Sequence, residues 1–244
     1  MRNYILDRKY LVTGSEGSVG YQEKYLRGDY WYKVDKYSGE GEMEHLVAKI
    51  LRCSTVPESC YVYYERCLIN NKLGCKSKTF LRQDEMFLSF NKLYTYMDSG
   101  KLSDKIWSLR DNRERLNYLL YFVKSITGLD IFVYLKTIIL LDMLTCNRDR
   151  HFNNFGVVYN YRTKTFRLSP IFDNGLSGGV GLGYGEVSSS CTISGSFEEQ
   201  VVAFGYPVNS TFIIDYNRLY REVDIRRYSI IFNNLEKYKS IFRR

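Results

Sequence analysis

The sequence predicts an α+β fold in two lobes, a small β-rich lobe over residues 1–83 and a larger helical lobe over residues 84–244. Two observations predict it. Up to about Leu81 the apolar residues fall in short aromatic-rich runs such as Tyr10-Leu11-Val12 and Tyr30-Trp31-Tyr32-Lys33-Val34, the composition of strands. Beyond that point they recur at helical spacing over longer stretches, 113–126 and 131–144. The pattern changes near Arg82-Gln83-Asp84-Glu85, and 244 residues suffice for two lobes around a cleft.

The elements follow in chain order. Thr13-Gly14-Ser15-Glu16-Gly17-Ser18-Val19-Gly20 sets glycines three apart between two β-type runs, which reads as a loop joining strands. Glycine lets a backbone come close to an anion and turn its N–H groups towards it, with no Cβ in the way. Gly14, Gly17 and Gly20, with Ser15 and Ser18 between them, are therefore candidate phosphate-binding residues, although a plain hairpin turn has the same composition. Lys33 lies thirteen residues past Gly20 in a β-type run, either as a solvated charge or as a phosphate ligand. Met43, Leu46, Val47, Ile50 and Leu51 then mark a helix over 42–51. Glu44 on that helix is the candidate partner of Lys33, with Glu40 and Glu42 as rivals.

In the second half, 113–126 is an amphipathic helix closed by Thr127-Gly128, a C-cap signal. Ile131 to Leu144 is apolar but carries Lys136 and Asp142, too short and too charged for a membrane span, and reads as a buried helix that delivers the next loop. Asp142 is expected to be a buried polar group bonded to that loop's backbone. The loop is Asn147-Arg148-Asp149-Arg150-His151-Phe152-Asn153-Asn154, with Asn154 five residues past Asp149 and Asp173 nineteen further on in Asp173-Asn174-Gly175. Asn and Asp are also ordinary turn residues.

Protein kinases use an Asp-x-x-x-x-Asn catalytic loop followed by a second Asp that holds Mg²⁺. Phosphoryl transfer asks for one carboxylate beside the attacking hydroxyl and two oxygen ligands for a hard cation, which one loop and one following strand can supply. Asn147 to Gly156, with Leu168-Ser169-Pro170-Ile171-Phe172-Asp173-Asn174-Gly175 behind it, resembles the HipA-like serine/threonine kinases, whose toxin members belong to toxin–antitoxin systems. Their pattern is an Asn/Thr-x-Asp-x-His-x-x-Asn loop and then a Pro-x-aromatic-Asp strand. The stretch from Gly14 to Lys33 and Ser194-Gly195-Ser196-Phe197-Glu198-Glu199-Gln200 also resemble compact members.

The resemblance implies a protein-kinase-like fold with a nucleotide-binding lobe up to residue 83 and a catalytic lobe after it. It implies ATP and Mg²⁺ as cofactors and a protein hydroxyl as acceptor. Asp149 would act on that hydroxyl, Lys33 would bind the phosphates with Glu44 holding it, and Asn154 and Asp173 would hold Mg²⁺. It further implies autophosphorylation of the glycine loop at Ser15 or Ser18 and an antitoxin or regulatory partner. The chain begins almost at its glycine loop, so a compact form lacking the family's N-terminal subdomain is expected. A phosphoinositide kinase, which shares an Asp-Arg-His-x-x-Asn string, and a nucleotide-binding pseudokinase are the alternatives. His151 would contact phosphate or brace the loop from a buried position. Arg148 and Arg150 would balance the local carboxylates, touch substrate phosphate or stay solvated.

Thirty-five basic against 27 acidic residues give a net charge of +8, but the basic residues are scattered and form no block, so direct nucleic-acid binding is not expected. The 23 tyrosines read as packing and surface residues and not as a platform for bases. Six cysteines form no Cys-x-x-Cys pair and only His45 and His151 are present, which argues against zinc. No secretory signal opens the chain, and reduced thiols in a cytoplasmic protein are expected.

Overall fold

The computed structural model describes residues 1–12, 22–181 and 192–243. Its first half is built on strands β1 (Asn3–Tyr4), β2 (Lys24–Arg27), β3 (Tyr30–Val34), β4 (Tyr64–Ile69) and β5 (Lys72–Lys78). They form a five-stranded sheet in the order β1-β4-β5-β3-β2, antiparallel except where β1 meets β4. The β4–β5 hairpin turns through Asn70 and Asn71, both at positive φ (49° and 65°), the backbone that a twisted two-residue hairpin demands and Asn tolerates.

Alternation along β3 assigns its side chains to two faces. Tyr32 and Val34 pack with Leu6, Tyr25, Cys67 and Ile69 into a small core on one side of the sheet. Trp31 and Lys33 face the other side, where a cavity opens.

Helix α1 (Glu40–Arg52), which the apolar spacing predicted over 42–51, packs against β4 and β5. Gly41 permits that approach, and Gly74 lets β5 lie close against β3. A Cβ on Gly41 would lie 2.6 Å from the backbone of Gly74, and a Cβ on Gly74 would lie 2.2 Å from the carbonyl oxygen of Lys33. The buried face of α1, Met43, Leu46, Val47, Ile50 and Leu51, then joins the main core shared with the helices that follow.

Those helices are α2 (Phe90–Thr95), α3 (Leu102–Trp107), α4 (Asn112–Thr127), α5 (Phe132–Thr145), α6 (Phe197–Ala203), α7 (Tyr216–Glu222), α8 (Ser229–Lys237) and α9 (Lys239–Phe242). Asp111 caps α4 by accepting from the N–H of Glu114, and Gly128 closes it at φ 74°, as its sequence predicts. Within α5, Leu135, Ile138, Ile139, Leu140 and Leu141 are all buried, which is why its pattern is apolar on every side.

The sequence reading missed one element of the larger lobe. Strands β6 (Glu85–Ser89), β7 (Gly156–Asn160) and β8 (Thr165–Leu168) form a second antiparallel sheet, with β6 pairing a strand about seventy residues away. The expected strand at Pro170–Asp173 is also reduced. Ile171 makes a single parallel bridge to Tyr61, because Pro170 has no N–H to offer and Asp173 turns into the left-handed region at φ 61°. Ile171 nevertheless ties the two halves together, donating to Cys60 at 2.8 Å and accepting from Val62 at 2.9 Å. The architecture is the expected two-lobed mixture of a curled sheet and helices.

Among the described residues no helix is long and apolar enough to cross a membrane. Cys53, Cys60, Cys67, Cys75 and Cys146 are free thiols, and among the described residues no cluster of three His, Cys, Asp or Glu side chains could ligate a metal.

Candidate active site

Lys33 stands where three segments meet. Its Nζ lies 2.8 Å from Oε1 of Glu44 on α1 and 2.7 Å from Oδ1 of Asp173. The ring of Tyr64 lies beneath it, its centroid 5.2 Å from the ammonium. Burial works against the Lys33 charge, but Asp173 and Glu44 outweigh it and hold the lysine well above its ordinary pKa. Burial works against the charge of Asp173 too, but Lys33 and, further off, Lys24 drive its carboxyl below its ordinary range.

The choice among the three glutamates of α1 is settled by what each touches. Glu40 accepts the N–H groups of Lys36 and Tyr37 and shapes the turn into the helix. Glu42 takes Arg66 and the hydroxyl of Tyr228. Only Glu44 reaches Lys33, and its other oxygen accepts the backbone N–H of Asn174 at 2.8 Å.

Asp173 thus sits between two anchors. Glu44 holds the N–H that follows it, and Arg150 Nη1 donates to the carbonyl of Phe172 before it at 2.8 Å. A left-handed conformation at a non-glycine residue costs on the order of 1–3 kcal/mol, and these bonds on either side maintain it.

The loop from 147 to 154 begins where Cys146, at φ 53°, ends α5. Asn147 donates its amide to Asp142 at 3.1 Å and accepts the N–H of Asp149 at 3.2 Å. Asn154 donates to the carbonyl of Asp149 at 2.7 Å. That bond fixes the amide of Asn154, whose Oδ1 is buried with no hydrogen-bond partner among the described residues. A buried carbonyl left so is unfavourable by about 1–3 kcal/mol unless a ligand meets it. Mg²⁺ held against phosphates needs only one or two protein oxygens, so Asn154 Oδ1 and the Asp173 carboxylate fit that ion without a larger acidic cluster.

The Asp149 side chain is 45% exposed, open to an incoming group. Partial burial raises its pKa, the charge of Asp173 adds to this, and His151 and Arg150 oppose it. His151 is not the buried brace the sequence allowed. It is about a third exposed, with Nε2 3.8 Å from Asp149 and Nδ1 accepting the N–H of Asn153 at 3.3 Å. Asp142 also differs from expectation: besides Asn147, its carboxylate takes the guanidinium of Arg150 and not the loop backbone. Arg150 is neither solvated nor free to touch a substrate, since its side chain is 0% exposed.

Beside Lys33, the side chains of Trp31, Val62, Phe80, Phe87 and Phe172 line a cavity that Thr79 and Leu81 border. Phe80, Phe87 and Phe172 form a cluster with ring centroids 5.3–5.9 Å apart, so the residue before Asp173 also walls this slot. Neither these aromatics nor Lys24, which lines the same cavity, was singled out from the sequence. Alternation from Lys33 through the antiparallel pairing would have found Lys24 once the partner strand was known. Gly14, Ser15, Gly17, Ser18 and Gly20 lie outside the described residues.

No protein-family model matches the sequence and no curated protein matches it. Among solved structures, the crystal structure of the proinflammatory kinase CtkA of Helicobacter pylori aligns with a TM-score of 0.58 at 15% identity, over 91% of this chain and 90% of that one. The fold is kinase-like. A looser likeness, with a TM-score of 0.46 at 12% identity, covers 94% of this chain and 60% of a chain in the complex of HipA, HipB and operator DNA from Shewanella oneidensis MR-1. In the kinase-like fold the Lys33, Glu44 and Asp173 cluster joins β3 of the five-stranded sheet and helix α1 to the segment that carries Asp173.

Proposed function

We propose that the protein is an ATP- and Mg²⁺-dependent serine/threonine kinase of HipA-like type that transfers phosphate to a protein hydroxyl. The observation that carries this reading is Lys33, clamped at once by Glu44 and Asp173. A largely enclosed lysine held by one carboxylate from a helix and one from the opposite lobe is arranged to meet phosphate when the second carboxylate turns to a metal. Trp31, Phe80, Phe87 and Phe172 would enclose the base, near the lobe boundary proposed at residues 83–84. Asn154 and Asp173 would hold Mg²⁺, which neutralises phosphate charge as it builds in the transition state. Asp149 would orient the acceptor hydroxyl and take its proton, a role that its raised pKa and open position suit. The glycine loop with Ser15 and Ser18 would cover the phosphates. A toxin or effector role, an antitoxin or regulatory partner and a cytoplasmic site of action belong to the same proposal and rest on the sequence resemblance.

Purified protein given labelled Mg²⁺-ATP should phosphorylate itself or a generic protein, and Asp149→Asn should abolish transfer while still binding nucleotide. Transfer at the wild-type rate by Asp149→Asn would remove Asp149 from the chemistry. Vesicles carrying phosphoinositides, assayed in parallel, distinguish a lipid acceptor from a protein one.

A further inference from the structure

Helix α1 borders a second cavity, which shares no residue with the slot beside Lys33. Its charged and titratable lining is His45 and Lys49 from α1, Arg66 from β4, Glu222 from the end of α7, and Asp224 and Arg227 beyond it. It holds about 180 Å³, room for a small ion, whereas pockets for drug-sized ligands run to about 300–1,000 Å³. The three cations outweigh the two carboxylates. Both oxygens of Glu222 are taken by groups that do not line the cavity, Arg52 at 2.6 Å and Arg218 at 2.7 Å. Arg66 is answered by Glu42 at 3.3 Å. Lys49 reaches only the backbone carbonyl of Glu222, at 3.4 Å, and neither it nor Arg227 has an ion pair among the described residues. Asp224 has none there either, so two unanswered cations face one unanswered carboxylate.

His45 registers this imbalance. Its Nδ1 lies 2.7 Å from the carbonyl of Tyr64, which can only accept, so that nitrogen carries the proton and Nε2 is the one that titrates. Burial presses the pKa of His45 down and the Tyr64 carbonyl opposes it, while Lys49, Arg66 and Arg52 deepen the depression. The charges felt most at the ring are thus all positive. A carboxylate would answer one of the two spare cations, and a phosphate dianion answers both. Two of the three cations are arginines, whose planar forks match phosphate oxygens. We propose that this cavity is a phosphate-binding site, in which Lys49, Arg66 and Arg227 hold a phosphate group and clip α1 to β4 and to the turn at Ile225–Arg227. His45 directly follows Glu44, so an occupied site would steady the helix that holds Lys33. The site itself does not depend on the kinase reading.

The test is proton NMR of the whole protein, whose two histidines give two separable reporters. Inorganic phosphate should move the titration of His45 to higher pH and saturate, and sodium chloride of equal ionic strength should not. His151, beside Asp149, reports phosphate bound in the cleft instead. Arg227→Gln alters an exposed side chain and should weaken phosphate binding at His45 about tenfold, the scale of one charge-assisted hydrogen bond. Asp224→Asn should tighten it about two- to fivefold, the scale of one exposed charge pair. If Arg227→Gln does not fold, Lys49→Gln serves the same comparison. O-phosphoserine binding more tightly than inorganic phosphate would assign the site to a phosphorylated side chain, and the reverse order to the free ion. A His45 response that chloride reproduces, a response of His151 alone, or undiminished binding by Arg227→Gln would each overturn the inference. None of these outcomes involves ATP, so the kinase proposal stands or falls separately.

Discussion

Arg150 and Asp142 form an ion pair sealed from solvent, with Nε of the guanidinium 3.0 Å from Oδ2 of the carboxylate and Nη2 3.1 Å from Oδ1. Burial disfavours the Arg150 charge, yet Asp142 outweighs it and holds the guanidinium above its ordinary pKa. The remaining donors of Arg150 reach the carbonyl of Phe172 at 2.8 Å and the side chain of Asn174 at 2.6 Å. One side chain therefore joins the end of α5, the Asp149 loop and both neighbours of Asp173.

Removing one partner of such a pair strands the other charge. Arg150→Met should lower unfolding free energy by about 3–5 kcal/mol. The double variant Arg150→Met with Asp142→Leu should recover much of that loss, yet not phosphoryl transfer, because the carbonyl of Phe172 and the side chain of Asn174 lose the guanidinium that holds them. Urea denaturation and the transfer assay read the two effects separately. Full activity in the double variant would mean that Asp173 is positioned without Arg150.

Metal dependence should run through Asp173. Nucleotide at about 100 times its dissociation constant adds roughly 2.7 kcal/mol of stability. Asp173→Asn should lose most of the part of that gain that depends on Mg²⁺, read as the difference in melting shift with and without the ion. A shift equal to wild type would leave Asp173 with a structural role through Lys33 alone.

Acid should weaken the joint beside the cleft. Hydrogen bonds from Arg167 lower the pKa of Glu85 from 4.5 to about 2, with the N–H of Arg82 assisting. A depressed carboxyl stabilises the fold fully above its ordinary pKa of 4.5 and loses that contribution as pH falls towards about 2. Because Arg167 is a third exposed, its worth is about 1 kcal/mol. Glu85→Gln should be less stable than wild type by that amount at neutral pH, and the gap should close between pH 4.5 and 2. A gap that persists at pH 2 would show that the mutation acts by some other route than charge.

The glycine loop should itself accept phosphate. Ser15 or Ser18, once modified, would carry about 1.5 to 2 negative charges where nucleotide phosphates are expected, and so weaken ATP binding. Peptide mass spectrometry after incubation with ATP should find phosphate between Thr13 and Tyr21 in wild type and not in Asp149→Asn. A phosphorylated loop that binds ATP as tightly as the unmodified one would rule out a switch.

The sequence by itself determined what is local. Helical periodicity located α1, α4 and α5 to within a residue or two, because a buried face recurs every three to four positions wherever the helix packs. The place of Lys33 thirteen residues past the glycine loop made it a candidate phosphate ligand, and the spacing of Asp149, Asn154 and Asp173 named the candidate chemistry before any fold was known. Only the tertiary structure decided which segments meet. Glu44 could not be told from Glu40 and Glu42 until α1 was seated on β5 through Gly41 and Gly74. Arg150 could balance a carboxylate, touch substrate phosphate or stay solvated until three segments closed over it and gave it Asp142. Sheet β6-β7-β8 stayed hidden for the same reason: its pairings join residues far apart in the chain, and the bonds that stabilise them leave no period in either segment alone.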